Sequence, residues 1–258
     1  MILLKTKEEL DIMDEANKFV HDVLDYIESH ISIGVSTREL DSMAEEFLQQ
    51  SSTKTKAEPA FKGYMGYPAS LCVSINEEVV HGIPSDRIIQ DGDIVSLDFG
   101  VKYKGFVGDA ARTIIIGSVP EEVIQLVHNT KEALKLGVNQ MRVGNRLHDI
   151  GKAIESMAHK HKYGNVKNFC GHGIGRNIHE EPHVFNFVNL NEPNIRLQEG
   201  MVLALEPMFN LGTSDVKLLK DKWTVITNDN NISAHFEVSV AVTRGEPRVL
   251  GNSQVFDS

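Results

Sequence analysis

The segment Gln90-Asp91-Gly92-Asp93-Ile94-Val95-Ser96-Leu97-Asp98 has a counterpart later in the chain, Gln198-Glu199-Gly200-Met201-Val202-Leu203-Ala204-Leu205-Glu206. Three positions are identical, and most of the others are similar in chemistry. In both segments a turn signal precedes an apolar run that ends in a carboxylate, as at the end of a buried strand. A repeat of this kind predicts two related structural units.

A second repeat follows the same order along the chain. A cysteine, a histidine and a proline recur with unchanged spacing, first as Cys72, His81 and Pro84 and then as Cys170, His179 and Pro182. Together the repeats predict two pseudo-symmetric halves, about 1–118 and 119–250, that face each other. Each half would supply a strand ending in a carboxylate (Asp98 or Glu206) and a loop with a histidine, so that a site between the halves collects both groups.

Hydrophobic periodicity and capping signals predict the order of elements as helix, helix, strands, and then the same again. The predicted elements are a helix from Lys7 to His30, a helix opened by the capping box Ser36–Glu39 and ending near Gln50, a polar loop from Ser51 to Pro59, strands from Leu71 to Ile115, a helix with Pro120 just inside its start and its end near Gly137, a helix from Asn145 to Lys162, and strands after Tyr163.

Composition is that of an ordinary globular protein, with 41% hydrophobic and 24% charged residues among 258. A formal net charge of −10 offers no broad attraction to nucleic acid or to an anionic membrane. No segment approaches the roughly 18 apolar residues needed to span a bilayer, and the N-terminus lacks the features of a signal peptide. We therefore expect a single domain, 1–258, that is a cytoplasmic monomer with two buried thiols.

Two aspartates stand on apolar strands where carboxylates are rare. Asp98 ends one strand, Asp109 lies on the next, and Tyr103–Gly105 between them is a turn signal. In a hairpin these two positions would be cross-strand neighbours to within one residue of register. Like charges placed in this way destabilise the sheet unless a cation lies between them, so the pair indicates a metal site.

Three further residues enlarge this set: His172 between glycines, Glu206 after an apolar run, and Glu237 within one. Four unpaired buried carboxylates would cost more than the stability of a whole domain. No comparable number of Arg or Lys lies in these strands. Four carboxylates and one imidazole exceed the needs of one ion and suit two divalent ions of Mn, Fe, Co or Zn. Two such ions serve hydrolysis, because they polarise a carbonyl and lower the pKa of a bridging water to about 7.

Several motifs closely resemble those of type I methionine aminopeptidase in its short bacterial form, over about residues 3 to 250. They are Phe169-Cys170-Gly171-His172-Gly173-Ile174-Gly175, His179-Glu180-Glu181-Pro182, Gly200-Met201-Val202-Leu203-Ala204-Leu205-Glu206-Pro207, the segment from Ser74 to Pro84, and Trp223-Thr224-Val225.

This resemblance implies an α/β (α+β) fold of the pseudo-twofold "pita-bread" type, a curved antiparallel sheet with two pairs of helices on the outside. It implies removal of the initiator methionine from nascent proteins, possibly near the ribosome, when the second residue is small. A metal-bridging hydroxide would attack the scissile carbonyl. The implied ligands of the two ions are Asp98, Asp109, His172, Glu206 and Glu237, with Asp109 and Glu237 bridging both.

The resemblance also implies roles for further residues. His179 would stabilise the oxyanion, His81 would lie near the first peptide nitrogen of the substrate, and Glu206 would carry the proton from the water to the leaving amine. The expected lining of the methionine pocket is Phe61, Tyr64, Tyr67, Cys72, Met208 and Trp223.

Four positions depart from the pattern of the family. Bacterial relatives commonly carry Gln two residues before the last glutamate ligand and His directly after it, where this chain has His235 and Val238. Ile178 replaces a residue that is often aromatic, and Phe61 one that is small or cysteine in some relatives. None of these changes removes a ligand. Two alternatives stay open: a proline-directed peptidase of the same fold, and a non-catalytic binding protein on that fold.

Overall fold

Four helices and fifteen strands make up the described part of the chain, which in this computed structural model comprises residues 2–52, 56–251 and 256. The helices are α1 Lys7–His30, α2 Thr37–Ser51, α3 Glu121–Val138 and α4 Leu147–His161. The strands are β1 Glu58–Pro59, β2 Leu71–Ile75, β3 Glu78–Val80, β4 Ile94–Tyr103, β5 Phe106–Ile115, β6 Gly164–Asn165, β7 Gly171–Gly173, β8 Glu180–Val184, β9 Val202–Leu205, β10 Met208–Asn210, β11 Val216–Leu218, β12 Val225–Thr227, β13 Ser233–His235, β14 Glu237–Ala241 and β15 Arg248–Val249.

The two N-terminal helices begin where their capping signals predict. In α1 the Thr6 hydroxyl accepts the Glu9 amide at 3.2 Å, and the Glu9 carboxylate accepts the Thr6 amide at 3.0 Å. Ser36 and Glu39 form the same reciprocal pair at the start of α2. Each pair satisfies donors that the first turn of a helix leaves open, so the predicted starts of both helices are confirmed.

The other predicted boundaries need small corrections. Pro120 precedes α3 as its N-cap, because its ψ of 149° is extended. The last helix begins at Leu147, since Arg146 still has extended backbone and its amide is held by the Asp149 carboxylate at 2.8 Å. In the segment predicted as a loop, Ser51 is helical and Glu58–Pro59 pairs with Lys102–Val101 at the edge of the sheet; residues 53–55 of that segment lie outside the described residues.

A single antiparallel sheet joins the halves, in the order β1-β4-β5-β14-β9-β7-β8, with β2 also paired to β4 and β15 to β14. The central pair, β5 and β14, brings one strand from each half together. In the first half Cys72 pairs with Asp98. In the second half His172 pairs with Ala204, and two more residues in this register bring Cys170 alongside Glu206. The two sequence repeats therefore correspond to equivalent strand pairs.

Alternation along the strands separates a helix-covered face from a polar one. Leu97 and Phe99 of β4 pack with Leu24 of α1 and Leu40 of α2 in one apolar cluster. A second cluster unites α3 and α4 with β9 and β14. Asp98, between Leu97 and Phe99, points to the opposite face, which the helices leave free for a site. Among the described residues, no helix has the length and apolar character required to cross a membrane.

The register of the β4–β5 hairpin differs from the prediction by two residues. Asp98 pairs with Ala111, and Asp109 pairs with Gly100, so the aspartates are diagonal neighbours. The reason is the two-residue turn Lys104–Gly105, in which both residues have positive φ, 46° and 80°, as hairpin turns of this length require. Because the shift is even, both aspartates keep the same face of the sheet.

Candidate active site

A cavity of about 570 Å³ opens on the face of the sheet away from the helices. Its floor is formed by three adjacent strands. Asp98 of β4 and Glu237 of β14 pair with Ala111 of β5 from opposite sides. Asp109 lies two residues before Ala111 on the same strand and therefore on the same face. Three carboxylates from both halves thus converge because the sheet register aligns them.

The second half completes this floor with His172 of β7 and with Glu206, which follows β9. Nε2 of His172 lies 3.8 Å from Oε1 of Glu206. Asp109, His172 and Glu237 each offer a ligand atom within 4.8 Å of the others. The structure therefore brings all five sequence-predicted ligands to one cavity.

Electrostatics at this floor favour a cation. Burial raises the pKa of Asp98 to about 7. Burial and the neighbouring carboxylates raise the pKa values of Asp109, Glu206 and Glu237 well above their usual range. Within the described residues, the only ion-pair partners of these four groups are two histidines beside Glu206. Buried oxygens of three of the carboxylates have no hydrogen-bond partner, namely Asp98 Oδ1, Asp109 Oδ1 and Glu237 Oε1.

Divalent metal fits this donor set. Orphaned, buried carboxylate oxygens beside a neutral imidazole are ligands of the kind that Mn, Fe, Co and Zn accept. Burial lowers the pKa of His172 to about 4. Its Nδ1 is held at 3.0 Å by the Gly173 carbonyl, which accepts the ring proton and leaves Nε2 unprotonated toward the carboxylates.

Backbone tethers hold two of the carboxylate positions. Asn17 of α1 accepts the Asp109 amide proton through Oδ1 at 3.2 Å, and the Ser239 hydroxyl donates to the Asp109 carbonyl at 3.0 Å. The Asn186 amide donates to the Glu206 carbonyl at 3.0 Å. These contacts come from both halves, so neither half alone positions the floor.

Two histidines stand above the floor. The His179 ring lies 4.4 Å from the His172 ring, and its Nδ1 is 2.9 Å from the Tyr64 hydroxyl. Burial lowers the pKa of His179. His81 occupies a left-handed turn position with φ of 60°, and burial lowers its pKa to about 4. Both rings are therefore neutral near pH 7 and able to donate one hydrogen bond each.

One side of the cavity is apolar. Tyr67 packs edge-on against Trp223 at 5.1 Å, and its hydroxyl donates to the Gly82 carbonyl at 2.9 Å, which leaves the ring as an apolar wall. Phe61 and Cys72 add to this wall, with Cys72 directly opposite Asp98 in the sheet. Both cysteines of the chain are free; Cys72 is buried and Cys170 is half-buried, which corrects the expectation of two buried thiols. The cavity therefore joins an apolar recess to a floor of carboxylate and imidazole side chains.

Residues 11–244 match the model of metallopeptidase family M24. The chain belongs to this family. It is 44% identical to the methionine aminopeptidase of Clostridium perfringens over 97% of this chain and 98% of that protein. Its identity to methionine aminopeptidase 1 of Bacillus subtilis is 43%, over 94% and 96% of the two chains.

Solved structures agree on the fold of this M24 peptidase. The methionine aminopeptidase from Rickettsia prowazekii superposes with a TM-score of 0.93 at 38% identity, over 98% of this chain and all of that one. A prolidase from Pyrococcus horikoshii shares the fold with a TM-score of 0.78 at 23% identity, but the match covers only 64% of that chain. The predicted pita-bread fold, enzyme class and family are confirmed.

Most of the residues predicted for the pocket line the cavity of this M24 peptidase, but Met208 does not. Met208 is fully buried on β10 and packs with Val79, Val166 and Val225 in a separate cluster behind the wall. In a small sheet Met208 pairs with His235, which lies beside Glu206. The sequence motif places Met208 close to Glu206, but only the sheet decides its face.

His235 is a residue of the site that sequence reasoning names as a departure but gives no role. Its Nε2 is buried without a hydrogen-bond partner and lies 3.9 Å from Oε2 of Glu206. Its pKa is lowered to about 3, first by burial and then by His81. The available signal is its place two residues before Glu237, at the junction of two short strands.

Proposed function

We propose that this M24 peptidase removes the N-terminal methionine from newly made proteins when the second residue is small. One observation carries the proposal: a floor of five buried metal-ligand side chains adjoins an apolar recess of limited size. Full-length relatives named methionine aminopeptidase, at 36–44% identity, support it. The floor suits hydrolysis of a peptide bond, and the recess suits an unbranched apolar side chain.

Two divalent ions would be held by Asp98, Asp109, His172, Glu206 and Glu237, with Asp109 and Glu237 shared between them. When bound, the ions supply a nucleophilic water near neutral pH and polarise the scissile carbonyl. The central position of Asp109 and Glu237, on the two strands where the halves meet, supports their shared role.

The chain's own residues would move and hold protons around this centre. Glu206 is proposed to carry a proton to the leaving amine, because burial and the neighbouring Asp98 raise its pKa well above the usual range and favour a carboxyl that holds a proton. For His179, the Tyr64 hydroxyl lies 2.9 Å from Nδ1 and is proposed to donate to it, which would place the ring proton on Nε2 for donation to the developing oxyanion. His81, neutral and buried, is proposed to contact the first peptide nitrogen of the substrate.

The methionine side chain of the substrate would enter the apolar recess, where Phe61, Tyr67, Cys72 and Trp223 meet it; Tyr64 lines the cavity beside His179. Aromatic rings favour contact with a thioether sulfur. Met208 packs with Phe169, which lines the cavity. Its direct contact with substrate, which the resemblance implies, stays a proposal.

We also propose that the chain acts in the cytoplasm as a monomer, as one domain, on the N-terminal peptides of nascent proteins near the ribosome. The acidic net charge supports the absence of a specific nucleic-acid partner. The proposed metals are Co, Mn, Fe and Zn, and the cleavage assay below measures which of them support activity.

Cleavage of Met-Ala-Ser, Met-Leu-Ser and Gly-Pro should be measured with the metal-free protein reloaded with Mn, Fe, Co or Zn. The expected result is metal-dependent release of methionine from Met-Ala-Ser alone. Cleavage of Gly-Pro in its place would assign the proline-directed activity. Metal-loaded protein that cleaves none of the peptides would make the chain a non-catalytic member of the family.

A further inference from the structure

The segment before α1 runs under the loop that carries His179. The Lys5 amide donates to the Gly200 carbonyl at 2.7 Å, which fixes the segment against the turn before β9. The Lys5 side chain is only 6% exposed, and its ammonium donates to Oε2 of Glu180 at 2.7 Å and to the Leu3 carbonyl at 3.1 Å. A buried lysine requires such pairing, because an unpaired ammonium is strongly disfavoured away from water.

Glu180 connects Lys5 to the loop that carries His179. Its second oxygen, Oε1, accepts the backbone amides of Arg176 and Asn177 at 2.8 and 3.1 Å. The carboxylate therefore closes the bend of residues 176–180, and His179 lies inside that bend. Burial alone would raise the pKa of Glu180, but the bonds from Lys5 and the two amides lower it, so the group stays a charged acceptor.

Two glycines of the sequence motifs make room for Lys5. A Cβ atom on Gly175 would lie 2.5 Å from Cε and 2.6 Å from Nζ of Lys5. A Cβ atom on Gly200, which has a φ of +88°, would lie 2.8 Å from the Lys5 carbonyl oxygen. The two glycines belong to the segments that carry His172 and Glu206, two of the proposed ligands. Lys5 therefore packs directly against the segments that form the site.

We propose that Lys5 is a positioning residue for catalysis, which holds His179 in place through Glu180. This inference rests on the proposed oxyanion role of His179. Residues 175–179 belong to no strand. Besides Glu180, the Tyr64 hydroxyl contacts the His179 ring, and Ile178 is buried in a core cluster. The Val107 amide donates to the Gly175 carbonyl at 2.8 Å, and Arg176 contacts Glu9 and the Phe106 ring near the surface, so the Glu180 carboxylate is the group that bonds the backbone amides inside the bend. A donor that stabilises charge in a transition state must be held rigidly, so a loosened loop lowers kcat.

The test combines kinetics with hydrogen exchange on the full-length, metal-loaded protein. Lys5→Met keeps the length of the side chain and removes the ammonium. The expected loss of kcat on Met-Ala-Ser is about tenfold to a hundredfold, the scale of a misplacement near 1 Å, with KM changed less than about threefold and metal content unchanged. Amide exchange should rise in the peptide that covers 175–180.

The double variant Lys5→Met with His179→Ala separates positioning from general stability. If Lys5 acts through His179, Lys5→Met costs less than about twofold once His179 is absent. The matched control is Arg244→Met, which breaks the exposed pair of Arg244 with Glu199 beside Gly200 and should change neither kcat nor exchange at 175–180. Glu180→Gln is the second variant and should show the same dependence on His179.

Several outcomes overturn the inference. Unchanged amide exchange at 175–180 would show that Lys5 does not hold this segment. An equal loss of kcat with and without His179 would show that Lys5 contributes only to stability. The same conclusion follows if neither Lys5→Met nor Glu180→Gln folds. Undiminished kcat in His179→Ala would remove the proposed role of His179 and this inference with it, whereas a normal His179→Ala loss without coupling removes this inference alone.

Discussion

The two halves of the molecule share a floor and differ in their walls. Cys72 beside Asp98 has its counterpart in Cys170 beside Glu206. Asp109 and Glu237 lie on the two central strands, β5 and β14, one from each half. Two residues after each cysteine the halves diverge. The first has Ser74, whose hydroxyl accepts the Gly82 amide at 3.1 Å, whereas the second has His172, whose Nε2 is left for the floor.

The surroundings of the floor diverge further. The first half adds the segment before β2, whose aromatic rings cover Cys72 and leave it 4% exposed. The second half leaves Cys170 half-buried and adds the loop of His179. The duplicated strand pair therefore supplies one proposed carboxylate ligand from each half, Asp98 and Glu206, while the unequal surrounding segments form an apolar recess on one side and the His179 loop on the other. Each prediction below tests that division.

The largest effect is expected at the shared floor, from Asp109→Ala and from Glu237→Ala. Each removes a ligand proposed to be shared by both ions, so kcat should fall about a thousandfold or more, given that metal supplies several kcal/mol to the transition state. Both proteins should stay folded, because each change relieves repulsion between buried carboxylates. Kinetics, circular dichroism and metal analysis provide the measurements, with the exposed Asp86→Ala as control.

Near-equal losses of kcat in the two variants would support equal roles for Asp109 and Glu237. Retention of more than about a tenth of kcat by either variant, with metal bound, would contradict the assignment of two shared ligands.

The two wall histidines should differ in importance. His179→Ala should lower kcat by about 10²–10³, the scale of one oxyanion donor. His81→Ala should cost only about tenfold, the scale of one ordinary hydrogen bond. Metal content should be unchanged in both, since neither is a proposed ligand. Equal losses of kcat in the two variants would contradict the distinction between His81 as a binding residue and His179 as a residue of the reaction. Loss of metal in His179→Ala would make His179 a ligand.

Metal should stabilise the protein more at higher pH. The pKa of Asp98 is raised to about 7, so in the metal-free protein its contribution to stability is present below about pH 4 and is lost as the pH rises to 7. The pKa of His172 is lowered to about 4, so its contribution is present above about 6.5 and is lost as the pH falls. Deprotonation of both groups favours binding of a cation.

The expected metal-induced rise in Tm is roughly 5–10 °C at pH 7.5, from about 2.7 kcal/mol at a hundred times the Kd. It should be smaller at pH 5.5. Calorimetry with and without a chelator measures both values, and Asp98→Asn and Glu206→Gln should reduce the rise equally if the halves contribute alike. A rise that does not depend on pH would contradict the proposed ligand set.

The smallest expected effect is a difference in KM between variants of the two cysteines. Cys72→Ala should raise KM for Met-Ala-Ser about two- to fivefold, because it opens space in the apolar recess worth about 0.5–1 kcal/mol. Cys170→Ala, at the equivalent place in the other half, should change KM less than about twofold. Steady-state kinetics of the two variants form a matched pair, and the reverse order would place the recess on the other side of the floor.

The sequence by itself determined the starts of the first two helices and the duplicated strands, and it predicted the five residues proposed as metal ligands. Thr6 and Glu9 cap α1 through contacts three residues apart, so local chemistry suffices there. The proposed ligands could be named because a carboxylate on a buried apolar strand needs an ion or a hydrogen-bond donor beside it, whatever the pairing of that strand. Their identity needed no knowledge of how the strands pair.

Only the tertiary structure decided what depends on sheet register and on contacts between distant segments. It put Asp98 and Asp109 at diagonal positions, packed Met208 against Val166, and set His235 beside Glu206. It also joined Lys5 to Glu180 across 175 residues. Side chains alternate between the faces of a strand, so one residue of register decides whether a group enters the site, and the register is set by turns and packing far from that group.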